Sequence, residues 1–179
     1  MKIGISIFLF ILILSFTAFS QINTDRIAHI RSVFQNINTD KTFKKVVLDN
    51  DKLSKIDPDY HYTDGGQELT GYFKSNQLTK VTYSVGLSFG IKTFDFYFEE
   101  QKVIFIYECQ QSFVPNEKTN ALDYTKLKTT FEGRYYIDQN KVIHKVEKGN
   151  LMGEKAEAIN LQKSDMPKFS RMLLSQKIK

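Results

Sequence analysis

The chain has 179 residues, a formal net charge of +5, 41% hydrophobic and 25% charged residues, no tryptophan and one cysteine. That balance excludes a disordered or collagen-like chain. The lone cysteine excludes an intradomain disulfide framework and a multi-cysteine zinc site.

Met1–Ser20 is a separate object. Lys2 is its only charge, Ile3 to Phe16 is almost wholly apolar, and Ala18-Phe19-Ser20 puts small residues at −3 and −1 of a cut before Gln21. This pattern predicts a secretory signal peptide. The rival is an uncleaved membrane anchor, but the apolar stretch is shorter than the roughly 20 residues a span needs. No cysteine stands at the cut, so the exported chain is not expected to be a lipoprotein. Secretion or periplasmic residence follows, with membrane contact only through an uncleaved anchor. Residues 21–179 are expected to form one β-rich domain. A chain of about 150 residues buries about 70% of its unfolded surface, enough to hold a core without covalent staples. Cys109 is then either a small buried hydrophobe or an intermolecular thiol. The lysines are scattered, not gathered into a stripe, so the basic charge does not indicate a nucleic-acid partner.

Thr24-Asp25 reads as a helix start, a hydroxyl N-cap followed by an acid in the first turn. Ile27, Ile30, Phe34 and Ile37 follow on one helical face with Val33 beside them. Lys44–Leu48 leans towards strand, and Asp49–Tyr62 is polar and turn-rich. From Gln67 the apolar spacing changes to period two. Three segments then share one form (Tyr, apolar, charged, any, amide, Gln or Lys, apolar): Tyr72–Leu78, Tyr97–Val103 and Tyr136–Val142. Each predicts a β-hairpin around a two-residue turn. With Glu100-Gln101 as the turn, Phe98 faces Val103, Phe96 faces Phe105 and Phe94 faces Tyr107. In the third unit a long strand is expected from about Lys126. Pro115–Asn120 reads as a loop. Glu154–Gln162 is helix-prone by composition. Ser164-Asp165-Met166-Pro167 opens a last helix with Phe169, Met172 and Leu173 on its buried side and Leu174 beside them. The fold class is α+β: an antiparallel sheet of about six to eight strands, with an N-terminal and a C-terminal helix packed on it.

Gly86-Leu87-Ser88-Phe89-Gly90 matches G-x-S-x-G, the turn that presents a nucleophilic serine between a strand and a helix. His144 lies downstream with Asp123 or Asp138 before it. A small secreted serine hydrolase using Ser88 and His144 is therefore the enzymatic alternative. An alternating strand follows the motif where a helix is needed, so a glycine-containing connection between strands is the plainer reading. Asp57, Asp59, His61, Asp64 and Glu68 form the densest polar stretch and could offer ligands to a metal, but their spacing is not that of an EF-hand. The plainer reading is a solvated loop in which Gly65-Gly66 supplies a positive-φ turn. No cofactor pattern is present.

Tyr72, Tyr97 and Tyr136 occupy equivalent repeat positions on the face opposite the main core. Tyrosine combines a rigid contact area with a polar tip, so the row is the candidate binding site for a protein, peptide or glycan. Against this stands a helix packed on the rings. Thr63–Phe73, together with the Tyr-Tyr-Ile-Asp-Gln-Asn-Lys-Val-Ile segment at 135–143, resembles small secreted proteins of unknown function from Bacteroidota. The resemblance implies no activity. The hairpins also resemble variant MORN repeats, whose Gly-rich turns this chain lacks. The expected role is a non-enzymatic binding or interaction domain of the cell envelope.

Overall fold

Three two-residue turns set the architecture. Ser75-Asn76, Glu100-Gln101 and Gln139-Asn140 all take positive φ at both positions, between 44° and 71°. That is the backbone of the turn whose twist matches flanking strands. The turns join β2 (Gln67–Lys74) to β3 (Gln77–Leu87), β4 (Gly90–Glu99) to β5 (Lys102–Pro115) and β6 (Leu122–Asp138) to β7 (Lys141–Gly149). Adding β1 (Lys44–Leu48) gives a seven-stranded antiparallel sheet in the order β1-β2-β3-β4-β5-β6-β7. The computed structural model describes residues 23–119, 121–153 and 157–177. The predicted leader Met1–Ser20 and its cut before Gln21 lie outside the described residues.

The three hairpins share one irregularity. Tyr72 pairs with Lys80 while Phe73 pairs with Leu78, so Thr79 is an extra residue. Ile104 is the extra residue opposite Tyr97 and Phe98, and Ile143 the one opposite Tyr136 and Ile137. Each repeat tyrosine therefore stands at a bulge, which flips the parity of the strand beyond it. Phe98 pairs with Val103 as expected. The expected pairs Phe96–Phe105 and Phe94–Tyr107 are replaced by Phe96–Ile106 and Phe94–Glu108. Phe105 thereby moves to the face of Tyr97.

Helices cover both faces. α1 spans residues 23–39, α2 Asn50–Ile56, α3 Ala158–Ser164 and α4 Met166–Lys177. On the first face Leu53 of α2, Ala158 of α3 and Met166, Phe169, Met172 and Leu173 of α4 pack on Leu69, Phe94, Phe96 and Ile106. Leu174 points away and is exposed. At Gly71 a Cβ would meet Leu173 Cδ1 at 3.0 Å, so the missing side chain lets α4 sit close to β2. α2 falls where the sequence reads as turn-rich loop. Its start is a side-chain cap, Asp49 Oδ1 accepting from Lys52 N at 3.0 Å.

This face also holds a carboxyl group. Glu108 is fully buried and accepts from Gln110 Nε2 at 2.7 Å and from Ala158 N at 3.4 Å, at the start of α3. Burial pushes its pKa up, against the lowering effect of those bonds. On the second face Ile30 of α1 is buried among Tyr97, Ile104, Phe105 and Tyr136, with Ile27, Val33, Phe34 and Ile37 around it. The outer strand β7 is exposed along nearly its whole length and carries Lys141, Lys145 and Lys148, charges that discourage edge-to-edge pairing.

Candidate functional site

α1 lies across the strands, along the tyrosine row. Near its start Arg26 binds Asp138 Oδ1 at 3.0 Å and Glu99 Oε2 at 3.1 Å, and His29 Nε2 lies 2.7 Å from Glu99 Oε1. Burial alone would raise the pKa of Glu99, but these partners outweigh it and hold the carboxyl below its usual range. In the middle Arg31 Nε donates to the Tyr136 hydroxyl at 3.2 Å, and Phe34 meets Tyr97 and Phe105 edge-on, both at 5.0 Å. Near its end Asn38 Oδ1 accepts from the Tyr97 hydroxyl at 3.0 Å. Asp40 pairs with Lys74 beyond that.

The tyrosine row is therefore not an open face. Tyr97 is 1% exposed and Tyr136 5%, because the apolar side of α1 needs an apolar surface and the row supplies it. The helix does not close the row completely. Beside Tyr136, a cleft of about 140 Å³ opens between α1 and β5–β6, lined by Arg31, Phe34, Gln35, Phe105, Arg134 and Tyr136. Past the end of α1, a second cleft of about 180 Å³ opens over Tyr72. There Phe43 meets Tyr72 edge-on, and the Lys45 and Lys80 ammonium groups stand 5.2 and 5.5 Å from the Tyr72 ring centre. Lys80 also pairs with Asp95 at 2.8 Å. Burial disfavours its charge, but Asp95 and Tyr97 outweigh that and raise its pKa. Both clefts combine aromatic walls with cations, the composition of a pocket for small anionic or polar ligands.

The other predicted residues are not gathered. Ser88 is exposed in the two-residue turn between β3 and β4, so G-x-S-x-G here is strand, turn, strand. Its glycines serve close backbone contacts: a Cβ on Gly86 would lie 2.4 Å from Gly65 O, and one on Gly90 2.1 Å from Gln111 O. His144 is exposed on β7, three strands away and near the opposite end, with its ring 5.4 Å from that of Tyr136. Asp57 caps the end of α2 and accepts from Lys168 Nζ at 2.5 Å, while Asp59 lies 3.9 Å from the same ammonium. His61, Asp64 and Glu68 are exposed, and Gly66 takes the positive φ expected of this loop. Among the described residues no three His, Cys, Asp or Glu side chains gather as a metal site. Cys109 is half-buried, and burial pushes its thiol pKa up.

Sequence reasoning missed Arg31, Arg134, Phe43 and Lys45 as lining residues. Two of them left a signal: Arg31 flanks the apolar stripe of α1, and Arg134 stands two residues before Tyr136 on the same side of β6. Comparison with protein families, curated proteins and solved structures found no match to this chain.

Proposed function

We propose that this chain is an exported, non-enzymatic binding domain of the cell envelope, and that it binds beside α1 at the ends of the tyrosine row. One observation carries the reading. α1 covers the middle of an aromatic face yet leaves a cation-lined cleft at Tyr136 and another at Tyr72. Arg31 of α1 and Lys45 and Lys80 of the sheet hold their cations over the tyrosine rings beside the clefts. The leader-like Met1–Ser20 supports export, and the exposed turn position of Ser88 supports a binding role over a hydrolytic one.

Two measurements test the reading. The chain expressed with its own leader should be recovered from the envelope with Gln21 at its N-terminus; recovery in the cytoplasm at full length overturns export. In a thermal-shift panel of aromatic acids, N-acetylated sugars and short peptides, at least one compound should raise the melting temperature. A ligand at 100 times its Kd contributes about 2.7 kcal/mol. The shift should be lost in Arg31→Ala or in Lys45→Ala, exposed positions whose replacement leaves the fold intact. A panel without hits, or hits indifferent to both substitutions, overturns the binding site.

A further inference from the structure

The two clefts differ in how their cations are satisfied, and that difference points to a ligand. Arg26 on α1 is held by two acids, one carboxylate on Nε and another on Nη1. Arg31, just over one helical turn later, spends only Nε on the Tyr136 hydroxyl and lays its guanidinium carbon 5.5 Å from that ring centre. Among the described residues it faces no carboxylate, and its two terminal nitrogens keep their donors for a further partner. Arg134, across the cleft, sits 5.3 Å from the Tyr107 ring centre. Its one acid, Glu132, is at 3.5 Å and already accepts from the Tyr107 hydroxyl at 2.5 Å. Between the two guanidinium groups the floor is apolar: Phe105 and Tyr136 are buried, their ring centres 5.0 Å apart, and Phe34 forms the wall.

Resting on the binding reading above, we infer that the Tyr136 cleft is a site for a small aromatic carboxylate. The guanidinium fork matches a carboxylate in two parallel hydrogen bonds and does so best where aromatic rings reduce its hydration. Phe105 and Tyr136 are buried, so a ligand ring would rest mainly on the half-buried Phe34 wall, a contact that a bare anion lacks. A cleft of about 140 Å³ is smaller than the roughly 300–1,000 Å³ pocket of a drug-sized ligand, so a single ring with a short acidic arm is the most it would take. At the Tyr72 cleft Lys80 is neutralised by Asp95, and ammonium groups offer no planar fork, so the two sites should differ in preference.

The test is titration of the chain with phenylacetate, phenylacetamide and inorganic phosphate, read by calorimetry and by the ring signals of Phe105 and Tyr136 in NMR. Phenylacetate should saturate and move those signals, with phenylacetamide and phosphate each at least tenfold weaker. Arg31→Gln should weaken phenylacetate at least tenfold and Arg134→Gln severalfold, while Lys163→Ala, exposed on α3 of the opposite face, should change nothing. Absence of saturation, equal binding of amide or phosphate, or indifference to Arg31→Gln overturns the inference. Binding that shifts Tyr72 and disappears in Lys45→Ala also overturns it, yet leaves the binding-domain reading standing. A chain silent to the whole earlier panel, or one whose hits ignore both Arg31→Ala and Lys45→Ala, removes both.

Discussion

On one face of the sheet three helices press Leu53, Ala158, Phe169, Met172 and Leu173 onto Phe94, Phe96 and Ile106, and even the buried carboxyl of Glu108 has its hydrogen bonds made. On the other face one helix covers a smaller, almost wholly aromatic cluster, and at its margins Arg31 and Lys45 stand without acidic partners among the described residues. The first arrangement spends every group internally. The second leaves polar capacity over aromatic rings. A sheet with two coverable faces can thus assign stability to one and recognition to the other.

The largest effect should come from the helix-rich face. Phe96→Ala removes a ring with no exposed surface and should cost about 3–5 kcal/mol, read as an early, global urea transition. Ile30→Ala, equally buried on the inner side of α1, should cost about 2–4 kcal/mol. Here the loss should concentrate in α1, with hydrogen exchange rising in residues 23–39 first; uniform exchange across both faces would break the distinction. Neither face covers the β3–β4 turn. Gly86→Ala should cost about 1–3 kcal/mol because its Cβ has backbone at 2.4 Å, whereas Ser88→Ala should stay within about 0.5 kcal/mol. A serine-directed fluorophosphonate should leave Ser88 unlabelled, and stoichiometric labelling would restore the hydrolase.

A smaller effect is pH-dependent. The folded-state pKa of Glu108 is raised, so its proton is held more tightly in the folded chain. The resulting stabilisation is fully present below the unfolded carboxyl pKa and is lost as pH rises through the folded value. Relative to Glu108→Gln, the native chain should therefore lose stability between pH 4 and neutrality, by about 1.4 kcal/mol per pKa unit raised, read as a falling melting temperature. The last effect is a gain: Gln101→Gly should stabilise both faces alike by about 1 kcal/mol, since a residue with a Cβ is held there at φ 64°.

Much of the fold was legible because its signals are local. The repeat located all three turns, although none has the favoured Asn-Gly pair, and β1 matches Lys44–Leu48 residue for residue. The bulges were not legible: Thr79, Ile104 and Ile143 share a repeat position and a β-branched side chain, but both features suit an ordinary strand residue. α2 escaped because Leu53 and Ile56 are its only apolar residues, too few to show a period. At the site, position along each repeat predicted that the tyrosines share a face. What covers that face depends on a helix far away in sequence, and the helix decides which rings stay reachable.

The strand order has a temporal consequence. Every strand pairs with its immediate neighbours in the chain, so the sheet can zip up hairpin by hairpin from short-range encounters, the connectivity that folds fast for its size. The packed helices are exceptions. α1, first among the described helices, waits for Tyr97, 59 positions after Asn38, and for Tyr136, 105 positions after Arg31. The loop it closes is long, as is the one α4 closes on β1. In an emerging chain the clefts beside α1 are therefore completed late, and under stress they should be among the first parts to open.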